Sequence, residues 1–312
     1  MTQKIATRDA YGEALLELGR SNEKIVVLDA DLSGSTKTAV FSKEFPERFF
    51  NAGIAEANMV GMAAGLAAGG MIPFASTFAM FAAGRAFEQI RQSLAYPKLN
   101  VKVVATHGGI TVGEDGGSHQ SIEDLALMRA VPNMTVICPA DGPETTAAIK
   151  AAAEFDGPMY IRLGRSKVPV VFEDTSSYVI GRGQTLREGN DMTFMTTGLM
   201  TAHALEAAEI LANGGVSARV VHFGTIKPLD LDLVMHCARE TGAIVTAEEH
   251  SVVGGLGGAV CEALCEGAPV PVERVGLRDV FGQSGTAEDL LVHYNLMPGD
   301  LVEAAERVLR RK

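Results

Sequence analysis

Short, unbroken aliphatic runs alternate along this chain with longer segments of helical periodicity, and that alternation constrains the fold more than any other feature. KIVVLDAD (24–31), MIPFAST (71–77), NVKVVATHGG (100–109), MTVICPAD (134–141) and PMYIRLGRS (158–166) are strand-like. They lack the apolar–polar alternation of a half-exposed strand, so both faces are expected to be covered. Helical segments lie between them, such as AEANMVGMAAGLAAGG (55–70) and PETTAAIKAAAEF (143–155). Strand–helix alternation of this kind builds a mostly parallel sheet with helices on its faces. The opening residues, from Met1 through Gly19, read as one amphipathic helix and carry no secretory pattern.

Around residue 170 the pattern lapses. FEDTSSYVIGRGQTLREGND is rich in Gly, Ser, Thr and charge, with no helical period. It then restarts: DMTFMTTG, SARVVHFGTI, AIVTAEEH and VERVGL as strands, separated by helices and closed by DLVEAAERVLRR. The expectation is an α/β chain of two consecutive domains, residues 1–172 and 188–312, joined by a linker at 173–187. Each domain holds a mostly parallel sheet flanked by helices. A length of 312 residues suits two domains of ordinary size.

Charge narrows the partners. Lys and Arg number 27 against 38 Asp and Glu, a formal charge of −11. That balance lacks the basic footprint of a nucleic-acid or anionic-membrane binder. The apolar stretch from Met59 to Gly84 is broken by glycine pairs and Pro73, so it reads as buried helix, strand and helix rather than a membrane span. Four cysteines are too few for a disulfide framework, and a cytoplasmic location is expected. Cys261 and Cys265 share one helical face without further metal-type ligands nearby, so they read as small buried residues. The glycines of VGGLGGA (253–259) open a helix and are read as a packing turn rather than an anion cradle.

In open parallel sheets, ligands sit beyond the carboxyl ends of the strands. By that rule Asp29, Asp31, Ser33 and Ser35 follow one strand, Thr106 and His107 another, and Arg165 and Ser166 a third. The segment ATHGGITVGEDGGSHQSIED (105–124) packs His107, His119, four carboxylates and several glycines into one irregular stretch. A long glycine-rich segment of that kind suits a substrate or acid–base loop better than the alternative, a flexible surface loop with solvated histidines. Glu56 is the only charge between Asn51 and Gly70. Two roles suit it: a first-turn carboxylate favoured by the helix dipole, or a buried carboxyl that hydrogen-bonds a ligand's ring nitrogen. Phe78, Phe81 and Phe87 follow at spacings that also suit core packing.

Taken in order, ATR (6–8), DADLSGS (29–35), GIAEANM (53–59), STFAMF (76–81), GEDGGSHQ (113–120) with RAVPNM (129–134), and LGR (163–165) resemble the carboxyl-terminal half of transketolases. The resemblance spans essentially the whole chain: a pyrimidine-binding domain and then a transketolase C-terminal domain. It implies thiamine diphosphate as cofactor. Glu56 matches the glutamate that hydrogen-bonds N1′ of the cofactor's aminopyrimidine and favours its imino form, while the cofactor carries the carbanion chemistry. Phe78 and Phe81 would wall the pyrimidine, with Asp31 nearby. Arg8, Ser35, His107 and Arg165 match residues that hold the phosphate of a sugar phosphate. Asp115 matches an aspartate that reads a sugar hydroxyl, and His119 an active-site histidine. Glu56, His107 and His119 are the catalytic candidates.

Undivided transketolases bind the diphosphate through Mg²⁺ with a Gly-Asp-Gly motif in an amino-terminal domain. This sequence contains no Gly-Asp-Gly. The resemblance therefore implies a split enzyme, in which a separate N-terminal subunit supplies diphosphate and Mg²⁺ binding, most simply as α2β2. Gly84 stands where many relatives carry another aromatic, and THGG replaces a frequent THD, leaving room for a changed sugar. Three other readings stay open: a 2-oxo-acid dehydrogenase β subunit, a deoxyxylulose-phosphate-synthase-like enzyme, and a non-catalytic assembly relative. GEDGGSH and the Arg8/His107/Arg165 set favour transketolase, since a lipoyl-linked site has no use for a phosphate clamp.

Overall fold

The computed structural model describes residues 3–312. The first half contributes strands β1 (Lys4–Ala6), β2 (Ile25–Asp29), β3 (Phe49–Asn51), β4 (Ile72–Phe78), β5 (Lys102–Thr106), β6 (Thr135–Ile137), β7 (Met159–Arg162) and β8 (Lys167–Pro169). The second contributes β9 (Gln184–Arg187), β10 (Met192–Thr196), β11 (Ala218–His222), β12 (Thr225–Lys227), β13 (Ile244–Ser251) and β14 (Val272–Leu277). A seven-stranded sheet runs β12-β6-β7-β5-β4-β2-β3, parallel except for β12. A five-stranded sheet runs β14-β13-β10-β11-β9, parallel except for β9. The aliphatic runs of β2, β5 and β10 are buried at every position, because helices cover both faces.

The structure departs from the sequence reading in several places. Lys4–Ala6 is not helical: it pairs antiparallel with β8, and the helix runs only over Thr7–Ser21. The connection at 173–187 ends in β9, which closes the second sheet against β11. SARVVHFGTI is not one strand. It breaks after His222, and Thr225–Lys227 crosses over to pair with β6 in the first sheet. A helix at Ala287–His293, capped by Thr286, precedes the final helix Pro298–Leu309. Cys265 is exposed and Cys261 half-buried, because their helical face turns outward.

The helix Glu56–Ala68 is also not buried all round. Met59, Val60 and Ala63 pack on the first sheet, whereas Asn58, Gly61, Gly65 and Ala68 face outward, and the preceding Ile54 is 77% exposed. Among the described residues no helix is long and apolar enough to cross a membrane.

Candidate active site

Adjacent parallel strands β4 and β5 end level with one another, Phe78 opposite Thr106. Their tips bring Phe78 onto the His107 ring, stacked with centroids 3.8 Å apart. Phe81 lies 5.8 Å from Phe78, and His119 meets both phenylalanines edge-on at 6.4 and 5.3 Å. Four residues from three separate sequence segments thus form one aromatic wall.

Glu56 opens the helix Glu56–Ala68 and is 3% exposed. The carboxylate sits in the first helical turn and is buried. A buried carboxylate needs a partner. Arg85 supplies it, Nη1 to Oε1 at 3.0 Å, and its guanidinium also lies over the Phe81 ring at 4.1 Å. Sequence reading passed over Arg85. Its signal was available: a lone charge in an apolar stretch calls for an opposite charge close by, and Arg85 is the next cation after Phe81.

The anion-binding candidates converge one strand further along. Arg8 Nη1 donates to the Ser35 carbonyl at 3.1 Å and meets His107 Nε2 at 3.2 Å. Arginine can only donate, so Nε2 must present its lone pair. Nδ1 then carries the proton, and it donates to Thr106 Oγ1 at 2.8 Å. Burial, with Arg8 and Arg165 close by, pushes the His107 pKa down to about 3. Its backbone has φ of +60°, a strained setting for a non-glycine residue of the kind that gathers at functional sites. Arg165 donates to the Val112 carbonyl, bonds Glu114 at 3.3 Å and stands 3.8 Å from Asp115. Arg8, Arg165, Thr111 and Ser166 line a pocket of about 240 Å³. Burial and the neighbouring Arg165 lower the Arg8 pKa, as expected of two cations sharing an opening.

Asp31 stands apart. It is exposed and exchanges hydrogen bonds with Asn51 at 3.0 and 3.1 Å, at the end of β3. Ser35 contributes its carbonyl to Arg8. Asp29 turns inward instead, accepting from Leu32 N, Thr36 Oγ1 and Thr38 Oγ1 at 2.6, 2.7 and 2.9 Å. It thereby folds the 31–38 turn that presents the Ser35 carbonyl to Arg8.

Sequence reading also missed a buried polar layer between the domains. Arg162, at the tip of β7, lies 3.3 Å from Asp124 and donates to the Glu249 carbonyl at 2.8 Å. Tyr160 donates to Asp124 at 2.8 Å. The helix opened by VGGLGGA takes no outside anion at its first amides, because Glu248 already accepts from Leu256 N and Gly257 N at 2.7 and 2.8 Å. Among the described residues no cluster of three or more His, Cys, Asp or Glu is placed to hold a metal ion.

This arrangement, with two parallel sheets, a buried helix-initial glutamate and an aromatic wall at the strand tips, belongs to a known class. Residues 3–171 match the transketolase pyrimidine-binding domain and residues 181–301 the transketolase C-terminal domain, so the chain is a member of the transketolase family. Those domains imply thiamine diphosphate use.

The more particular likeness is to split enzymes. A protein of Methanocaldococcus jannaschii named as a transketolase C-terminal section is 54% identical over 93% of this chain and 92% of its own length. A 6-deoxy-6-sulfo-D-fructose transketolase subunit of Clostridium sp. is 45% identical over 98% of this chain and 95% of its own. A solved split-gene transketolase, described as an inactive β4 tetramer, superposes with a TM-score of 0.93 at 59% identity, covering 99% of each chain.

Proposed function

We propose that this chain is the pyrimidine-side subunit of a split, thiamine-diphosphate-dependent transketolase, moving a two-carbon ketol unit between a ketose phosphate and an aldose phosphate in cytoplasmic pentose phosphate metabolism. The observation that carries this reading is the placement of Glu56. It is a buried carboxylate beside the Phe78–Phe81–His119 wall, on a helix whose outer face of Gly61, Gly65 and Ala68 lies uncovered.

The residues present suit the cofactor's aminopyrimidine. The aromatic wall offers a face for a planar ring, and Glu56 offers an acceptor for a ring nitrogen. When bound, thiamine diphosphate supplies the nucleophilic carbon that carries the transferred unit. Glu56 would hold the ring-nitrogen proton, with Arg85 Nη1 fixing its carboxylate at 3.0 Å. Phe78 and Phe81 exclude water from the ring face. Arg8 and Arg165 fork the sugar's terminal anion at the opening they share. His107, neutral with both nitrogens engaged, orients Arg8 rather than adding a charge. Asp115 and His119, on the 113–119 loop, face the sugar hydroxyls and the transferred unit. Asp31, paired with Asn51, supports the cofactor side of the cleft.

The uncovered small-residue face beside Glu56 supports an N-terminal partner subunit at that position, bringing Gly-Asp-Gly, the diphosphate site and the Mg²⁺ ligands in an α2β2 assembly. The test is reconstitution. The tagged chain is used to capture a Gly-Asp-Gly subunit from its own source, and the pair is assayed for ketol transfer. Transfer is expected with the pair and not with this chain alone. Glu56→Gln should lower kcat by at least about a hundredfold. Unchanged turnover in that variant would remove Glu56, and the cofactor placement with it.

A further inference from the structure

The 113–119 loop carries Asp115 and His119 and is held from both domains; in its own, Arg165 bonds Glu114 at 3.3 Å and His119 packs edge-on against Phe78 and Phe81. Gly113 and Gly116 adopt φ of +87° and +73°, a backbone region in which glycine has little preference of its own to hold a loop in place. The second domain supplies a further restraint through Gln120. Gln120 is buried, and its Nε2 donates to the carbonyls of Ile110 and Gly113 at 3.2 Å and of Gln283 at 2.9 Å. The segment 279–286 presses close enough that a Cβ at Gly117 would stand 2.6 Å from the Gly282 carbonyl, and one at Gly116 2.6 Å from Ser284 Oγ. At the root of the loop, Glu249 accepts from Thr111 N at 2.7 Å and Ser251 N donates to the Ile122 carbonyl at 2.7 Å.

We propose that Gln120 is a positioning residue that fastens the 113–119 loop to the 279–286 segment, so that the second domain sets where Asp115 and His119 stand. This rests on the reading of Asp115 and His119 as substrate contacts. A loop left free would lose backbone entropy on ordering around the sugar, a cost the latch meets before substrate arrives.

Two variants address the latch from its two sides. Gln120→Met keeps the side-chain volume and removes the donated bonds. Gly282→Ala places a methyl inside the contact radius of Gln120 Oε1 and displaces the same side chain. Hydrogen exchange on the chain by itself is expected to speed up about tenfold or more at the amides of 110–119 in either variant, with the core strands unchanged. In the enzyme reconstituted with its N-terminal subunit, the KM for the sugar phosphate should rise about tenfold, kcat should fall less than about threefold, and thiamine diphosphate affinity should stay the same. The double variant should be no worse than either single one.

Unchanged exchange at 110–119, acceleration spread over both sheets, or additive losses in the double variant would each make Gln120 an ordinary packing residue and overturn the proposal. A wild-type pair that transfers no ketol unit would instead remove the substrate reading, and the exchange result would still decide the latch.

Discussion

Neutral His107 has a measurable consequence for stability. The ring is buried between the Phe78 face and Arg8, with its Nε2 lone pair facing Arg8 Nη1 at 3.2 Å and Nδ1 spent on Thr106. Protonation would set a second cation against a fixed guanidinium with no acceptor between them. Burial first, and then the neighbouring Arg8 and Arg165, bring the pKa from the ordinary 6.5 to about 3. A base whose folded pKa is depressed contributes stability that is fully present above pH 6.5 and is lost as pH falls toward 3, because only the unfolded chain takes up the proton. At about 1.4 kcal/mol per pKa unit, the loss is roughly 5 kcal/mol in full and about 3 kcal/mol by pH 4.5. Other groups titrate in the same window, so the contrast must be made with His107→Gln, which keeps an acceptor for Arg8 and has no proton to gain. Urea unfolding of both proteins between pH 8 and 4.5 is the assay. The two stability curves should run parallel above pH 7 and diverge below it, the wild type losing more, with a slope near 1.4 kcal/mol per unit. Curves parallel down to pH 4.5, or a wild type that gains on the variant in acid, would mean that His107 takes up a second proton in the fold as readily as in the unfolded chain. The assigned tautomer would then be wrong.

Two other perturbations probe the same cluster. Arg165→Lys keeps the charge but loses the fork, so the KM for a phosphorylated sugar should rise about tenfold to a hundredfold while that for the unphosphorylated analogue changes little; equal effects on both would place Arg165 outside the anion site. Asp29→Ala strands two buried hydroxyls and the half-buried Leu32 amide and should cost about 3 kcal/mol in urea unfolding, whereas Asp29→Asn, which keeps an acceptor for Leu32 N and lets the threonine hydroxyls reverse, should cost about 1 kcal/mol.

Much of the site was legible because its logic is local. Strand-end position alone points to Asp29, His107 and Arg165, and a single charge in an apolar run points to Glu56. The sequence could not show what each polar group pairs with, since those partners come from distant segments. Arg85 lies 29 positions from Glu56, and Glu249 lies 138 from the Thr111 amide it accepts. Asp29 and Asp31 look alike in sequence, yet one is buried under three donors and the other is exposed beside Asn51. In the fold, β1, β9 and β12 were missed for a shared reason. Each is a three- or four-residue strand whose stability comes from a non-local neighbour rather than from its own composition.

The crossing of Thr225–Lys227 into the first sheet has a consequence for how this polypeptide can be divided. Its two family domains are successive in the sequence but not separable in space. A fragment stopped near residue 180 would leave β6 with a row of unmatched amides and carbonyls along one side, an invitation to pair with a second molecule. A fragment begun there would carry three residues with no sheet to join. The two domains are therefore expected to fold and persist as one unit.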